Sequence, residues 1–226
     1  MTNDATDAGD ANAAPGREAV PDAASSVSTA LVAGAALFNE DHPGAAREPW
    51  TVAPTPAAAD GRLLSGLAAV AAATRRAADD DPTGAAEDAA SAADRLADLG
   101  STPRGVDLAP VRAWANRLAA DPGAVGRAAK PRVRVDGAVP TFDSVSLPAA
   151  RLAAPALAAT AAPGDPETVR FAADLAREER GTGRTRFAEL LFAYLRTPDA
   201  RPQVSARLAD RVDRERRKRR DVEELF

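Results

Sequence analysis

Alanine is the feature of this sequence that most limits how the chain can fold. Of the 226 residues, 58 are Ala, whereas aromatic residues make up 4% and apolar residues of all kinds 45%. A helix whose buried face is mostly Ala excludes water only where a neighbouring backbone approaches it closely. We therefore expect helices that pack through small side chains around a few Leu, Val, Phe and Trp anchors.

Several classes of chemistry are excluded by composition. Cysteine is absent, and His42 is the only histidine. Disulfides, thiol catalysis and zinc sites built from Cys or several His residues are therefore ruled out. The sequence also lacks a glycine-rich phosphate loop, a serine nucleophile motif and an acidic metal box. We expect no catalytic residue, no cofactor and no metal site.

The net charge of −4 is concentrated at the N-terminus. In the first 26 residues five acidic side chains stand against Arg17 alone, so this segment carries the whole net charge and the other 200 residues are balanced. Its Asp, Asn, Gly and Pro content with few apolar anchors predicts a disordered, solvating acidic tail. The acidic residues are Asp4, Asp7, Asp10, Glu18 and Asp22.

Membrane insertion and export are not indicated. No apolar run reaches the ~18 to 20 residues of a membrane span. Acidic residues occupy the N-terminal region where a signal peptide needs basic residues followed by an apolar stretch. We expect a cytoplasmic protein with no membrane association.

The pattern of apolar residues predicts an all-α fold, a multihelical bundle with at most one short β-hairpin. That hairpin signal is the turn at Asp136-Gly137 beside Val133 and Val135, and Pro140 would restrict it to an edge. The predicted parts are a disordered tail over 1–26, a helical bundle over 27–125, a connector over 126–146, and a C-terminal helical region over 147–226 that packs on the bundle.

Aspartates and prolines predict where the helices begin and end. Four aspartates precede segments of helical periodicity and are expected to cap them, namely Asp60, Asp81, Asp107 and Asp165. Pro49 is expected to limit the second helix, and Pro155 to kink or break a later one.

The most distinctive stretch is Gly34 to Trp50, which reads GAALFNEDHPGAAREPW. Small and apolar residues share one helical face up to Phe38, and Asn39 is expected to end that helix. Pro43 and Gly44 then turn the chain into a second helical piece. The stretch predicts a helical hairpin with polar residues at its elbow.

This stretch resembles the domain of unknown function 309 family, whose signature runs Phe-Asn-x-Gly-x-aromatic-x-x-Ala-His-acid-x-aromatic-Glu-x-x-Trp. The residues that match in register are Phe38, Asn39, Ala46, Glu48 and Trp50. The residues that differ are Asp41 at the family's Gly, Pro43 at its aromatic position, Arg47 at its His, Thr51 at its Glu and Pro54 at its final Trp.

The resemblance extends over most of residues 27 to 226, up to the closing RDVEELF, and is to the haloarchaeal branch with its longer C-terminal half. Of the 29 basic residues only Lys130 and Lys218 are lysines. The excess of Arg and Ala suggests a GC-rich genome and agrees with a halophilic archaeon as source. The family's function is unknown, so the resemblance implies a fold rather than a reaction.

Two functional interpretations follow from the elbow. The leading one is a non-catalytic protein that acts through binding or assembly, because Arg cannot replace His as a base. The alternative is a small-ligand binder or enzyme that uses a candidate pocket lined by Asn39, Arg47, Glu48 and Trp50. His42 has no acid at helical spacing to orient it, so we interpret it as a surface histidine beside a turn.

A third interpretation concerns a dense basic run near the C-terminus. This candidate basic face consists of Arg214, Arg216, Arg217, Lys218, Arg219 and Arg220. Such runs can neutralise phosphates, but acidic residues surround this one and no aromatic residues interleave with it. A salt-bridged, solvated helix is favoured over nucleic-acid binding, and a protein partner or a second copy of the chain stays open. The final Val222 to Phe226 is expected to dock beside Phe187 to Leu195.

Overall fold

A computed structural model of the protein describes residues 23–53, 57–121, 129–160, 162–180 and 185–223. Within these ranges the fold is all-α, as predicted. The helices are α1 (Ala23–Asn39), α2 (Pro43–Val52), α3 (Ala58–Ala78), α4 (Pro82–Ala97), α5 (Ala109–Ala120), α6 (Leu147–Thr160), α7 (Pro166–Glu178), α8 (Arg186–Arg196) and α9 (Arg201–Glu223). Short 3-10 turns occupy Pro103–Gly105 and Pro198–Ala200.

The first five helices pack in chain order. Helix α2 lies against α1 and α3, α4 against α3, and α5 against α4. Helix α6 then packs on α1 and α2, so the C-terminal helices join the bundle at the elbow end of the series. Helices α7 and α8 pack on α6, and α9 covers α7 and α8. The elbow between α1 and α2 is therefore central to the fold.

Helices approach one another closely where small residues face large ones. A Cβ added to Gly66 in α3 would lie 2.5 Å from a methyl carbon of Leu96 in α4. A Cβ on Gly34 in α1 would lie 2.3 Å from the indole nitrogen of Trp50 in α2. These contacts are too short for any side chain, so the predicted packing through small residues is confirmed at both places.

Of the four predicted caps, those at Asp81 and Asp165 are confirmed and that at Asp60 is wrong. Asp107 lies one residue before the cap residue Leu108, and its carboxylate accepts a hydrogen bond from the Ala109 N–H at 3.2 Å. The carboxylate of Asp81 accepts a hydrogen bond from the Gly84 N–H at 2.9 Å, and that of Asp165 accepts one from the Thr168 N–H at 2.7 Å. Asp60 lies inside the first turn of α3, after the cap residue Ala57, and is buried. Its carboxylate is occupied by a distant arginine described below, which explains why it does not cap.

The helix limit predicted at Pro49 is wrong, and of the two possibilities predicted for Pro155, a kink or a break, the break is excluded. Pro49 lies inside α2, which continues to Val52, and Pro155 lies inside α6, which continues to Thr160. Both prolines are buried among apolar neighbours. Burial of these helical faces outweighs the loss of one hydrogen bond and the clash that proline introduces, which cost about 3 kcal/mol.

The boundaries of the tail and the C-terminus also differ from expectation. Helix α1 begins at Ala23, inside the segment assigned to the tail, and the rest of that segment lies outside the described residues. Helix α9 extends to Glu223, with Val222 49% exposed, so the predicted docking is wrong for Val222. Leu225 and Phe226 lie outside the described residues.

The segment before α6 has no regular strand. Between residues 129 and 146 it forms isolated antiparallel bridges that pair Val135 with Ala138 and with Val106. The turn between Val135 and Ala138 is the one predicted at Asp136-Gly137, and both residues there have positive φ. In the part of the chain that can be described, no helix has the length and apolar character needed to cross a membrane.

Candidate functional site

Asn39 is the last residue of α1, and its side chain binds the connector before α6 to the elbow between α1 and α2. It is 2% exposed. Its Nδ2 donates to the carbonyls of Val133 and Pro140, each at 3.0 Å. Its Oδ1 accepts from the Val133 N–H at 2.9 Å. The amide thus uses both donors and one acceptor site on backbone groups about a hundred residues away.

Basic side chains from the connector complete the C-terminal end of α1. The Lys130 ammonium donates to the Phe38 carbonyl and pairs with Asp41 at 2.8 Å. Arg132 donates to the Asn39 carbonyl at 3.0 Å. Cations are favourable here because the last carbonyls of a helix have no partner within it. The hydrogen bond from Lys130 lowers the pKa of Asp41 below its usual value, against the opposing effect of burial.

The other three residues of the candidate pocket lie in separate surroundings. Arg47 is exposed. Glu48 pairs with Arg170 of α7 at 3.2 Å, and Trp50 is 2% exposed beneath α1. The Trp50 ring packs 6.3 Å from that of Phe38, and its Nε1 has no hydrogen-bond partner among the described residues. The indole nitrogen lies in the close contact that Trp50 makes with Gly34.

Thr51 is the residue that the predicted resemblance aligns with the family's Glu, and its hydroxyl is directed back along its own helix. It donates to the carbonyls of Arg47 and Glu48, at 3.0 and 3.1 Å. This local bonding is common for Thr in helices and requires no partner outside α2. The residues that stand in for the signature's His and Glu are therefore exposed or bonded locally.

His42 follows the turn at the elbow, as expected, but its side chain is half-buried instead of lying on the surface. Its ring stacks on that of Phe142 in the connector, with 5.9 Å between centroids and 20° between planes. Burial is the main cause that lowers its pKa below 6.5, the positive charge of Arg201 adds to it, and Asp41 opposes it. The stacked imidazole is thus a packing element between the elbow and the connector.

One buried ion pair was missed by sequence reasoning. Asp60 in α3 is 4% exposed and binds Arg104 through two hydrogen bonds of 2.7 and 2.8 Å. Arg104 has a φ of 52°, in the left-handed region that non-glycine residues rarely adopt. The hydrogen bond from Arg104 lowers the pKa of Asp60. The partners are 44 positions apart in the sequence, and no local signal joins them.

The candidate basic face lies on α9 beyond Val212, its last buried residue. An open groove of about 560 Å³ is lined by Asp213, Arg216, Arg217, Arg219 and Arg220. The two remaining members of the face have local partners: Arg214 donates to the Asp210 carbonyl at 3.0 Å, and Lys218 lies 4.0 Å from Glu215. The structure thus brings four of the six predicted basic residues together.

Two of the groove arginines also contact α7. The guanidinium groups of Arg216 and Arg219 lie 4.8 and 5.3 Å from the ring centroid of Phe171. Arg219 pairs with Glu178 of α7 at 2.5 Å. These contacts hold the C-terminal half of α9 against α7, and the aromatic residue involved comes from another helix, since none interleaves with the basic run in the sequence.

Within the described ranges no group of three or more acidic or His side chains could hold a metal ion. The chain matches no protein-family model and no curated protein. The resemblance to the domain of unknown function 309 family therefore stays a prediction.

Proposed function

We propose that this chain is a non-catalytic helical protein that acts through binding or assembly, and that it is a divergent relative of the domain of unknown function 309 family. The main support for the proposal is the hydrogen bonding at the elbow between α1 and α2. Asn39, the polar residue at its centre, bonds to the backbone of Val133 and Pro140 instead of facing an open space.

The surroundings of Asn39 support the same proposal. A general base or nucleophile must lie within hydrogen-bond reach of a substrate and be oriented by a second group. Arg47 is a permanent cation, Glu48 is paired with Arg170, and Thr51 bonds to its own helix. The only imidazole, that of His42, is stacked on Phe142. None of these side chains forms a base with an orienting partner.

The alternative is a small-ligand binder or enzyme that uses Asn39, Arg47, Glu48 and Trp50. It can be tested by screening a library of metabolites for compounds that raise the melting temperature of the full chain. We expect no compound whose effect depends on Arg47. A ligand whose affinity falls on Arg47→Ala, with the fold intact by circular dichroism and with Arg62→Ala as an exposed control, would overturn the proposal in favour of this alternative.

A second candidate function is nucleic-acid binding, and it is favoured by the arginine groove of α9. Three observations weigh against it. Arg219 is already paired with Glu178, Asp213 lies within the groove, and the groove is near the end of the helix where the dipole is negative. We expect no shift of a DNA or RNA probe at low salt. A shift that weakens with salt and disappears on Arg217→Glu with Arg220→Glu would establish it.

A further inference from the structure

The lining of the arginine groove contains four guanidinium groups and one carboxylate, that of Asp213. Asp213, Arg216, Arg217 and Arg220 follow the spacing i, i+3, i+4 and i+7, which places them along one face of α9. Arg217 and Arg220 are exposed, and among the described residues no carboxylate lies within ion-pair distance of either. The stacking of Arg216 and Arg219 on Phe171 restrains two further guanidinium groups beside them.

A matching surplus of negative charge exists elsewhere in the same chain. Residues 1–22 contain five carboxylates and one Arg, a net charge of −4, whereas the rest of the sequence is balanced. Asp4, Asp7 and Asp10 recur every third residue. Each carboxylate can accept two parallel hydrogen bonds from one guanidinium, which is the strongest polar contact available to this groove.

We propose that the acidic segment of residues 1–22 binds in the arginine groove of α9 in the same chain. The segment is long enough to reach it from Ala23. Twenty-two residues can span up to about 70 Å, whereas a folded body of about 200 residues has a radius of gyration of about 16 Å. Covalent attachment gives a short segment an effective concentration in the millimolar range, so weak contacts are sufficient.

The geometry favours this occupant over an external polyanion. Arg216 to Arg220 cover about 6 Å of helix, so the groove matches a few separate carboxylates and is too short for many phosphates. Asp213 would repel a continuous line of phosphates, while a peptide can place its uncharged residues there. An occupied groove would shield α9 from nucleic acid and from other acidic partners.

The absence of cysteine makes a direct test simple. A nitroxide on Ala8→Cys broadens the amide signals of residues near it, and these are compared before and after reduction of the nitroxide. We expect selective loss of signal at residues 213–220 at low salt. The loss should diminish in 1 M salt, where the screening length is about 3 Å. Unchanged signals at residues 213–220 under low salt would overturn the proposal.

Matched variants show whether the groove itself is responsible. Arg217→Glu with Arg220→Glu should abolish the broadening. Arg186→Glu with Arg207→Glu, which changes the charge equally at exposed positions outside the groove, should preserve it. Asp7→Asn with Asp10→Asn tests the segment without altering the helix and should also reduce the broadening. Broadening that survives both the groove and the segment changes would contradict the assignment.

A mixed sample separates the chain's own segment from that of a second copy. Isotope-labelled protein without nitroxide is combined with unlabelled protein that carries it. We expect no broadening in this mixture. Broadening at residues 213–220 would mean that the segment of one molecule binds the groove of another, which would overturn the intramolecular proposal.

Discussion

Gly34 of α1 and Trp50 of α2 are in direct contact, and the indole nitrogen lies 2.3 Å from the position that the Cβ of any larger residue would take. Gly34→Ala should therefore destabilise the protein by about 1 to 3 kcal/mol, the usual cost of overfilling a core. Chemical denaturation followed by circular dichroism would measure this change in the free energy of unfolding. An unchanged stability would show that α1 and α2 can separate without cost.

Gly44→Ala is the matched control for this prediction. Gly44 lies near the start of α2, and a Cβ there would meet only the Arg75 side chain, at an ordinary 3.5 Å. This variant should be stabilised by about 0.4 to 1 kcal/mol, because Ala restricts the unfolded chain more than Gly does. If Trp50→Leu makes room, Gly34→Ala should cost less in that background than in the native chain, and a double-mutant cycle would measure the difference.

Asn39→Ala should destabilise the protein more than an ordinary polar substitution. It removes three hydrogen bonds and leaves backbone groups of Val133 and Pro140 buried without them, at about 1 to 3 kcal/mol for each unsatisfied group. Hydrogen exchange should quicken first in residues 129–146. Asn116→Ala, an exposed Asn to Ala change in α5, should leave exchange there unaltered.

The ion pair of Asp60 and Arg104 should make stability depend on acid pH. The pKa of Asp60 is lowered in the folded protein from its ordinary 3.8. Its contribution is therefore complete above the unfolded pKa and is lost as pH falls through the folded pKa. Asp60→Asn should cost about 1.5 to 3 kcal/mol at neutral pH, and the difference from the native chain should narrow below about pH 4.

Asp98→Asn provides the comparison for Asp60. Asp98 lies 4.0 Å from Arg62, and its side chain is 84% exposed. An exposed pair contributes at most about 1 kcal/mol, so this variant should be close to the native protein in urea denaturation at neutral pH. Equal losses from the two substitutions would contradict the special role of the buried pair.

His42 should titrate below its ordinary pKa of 6.5, because burial and the charge of Arg201 disfavour its protonated form. When the folded pKa of a histidine is lowered, the free energy of unfolding is unaffected above pH 6.5. It decreases as pH falls from 6.5 to the folded pKa, because the unfolded state binds the proton more readily. Because His42 is the only His in the chain, its imidazole proton signals can be followed by NMR without assignment. A pKa at or above 6.5 would contradict the burial of the imidazole beside Arg201.

Local signals in the sequence were sufficient for the helices and for the caps at Asp81 and Asp165. They were insufficient where a partner lies far along the chain. Asp60 was read as a cap because capping is local, whereas its Arg104 lies 44 residues away. Pro49 is expected from local rules to limit a helix. The burial that accompanies its place inside α2 depends on tertiary packing, which those rules do not include. The partners of Asn39 are also distant in the sequence. The family signature marks this residue as distinctive, but it does not predict the hydrogen bonds to the backbone of Val133 and Pro140.

The bond between Asn39 and Val133 spans 94 residues, and this distance has a kinetic consequence. Contacts among α1 to α5 connect chain neighbours, so they can form quickly, while closure of so long a loop delays the contact of Asn39 with the connector. A contact absent from the transition state affects mainly the unfolding rate. The hydrogen bonds of Asn39 would then slow unfolding, and they would affect the lifetime of the native state more than the rate of folding.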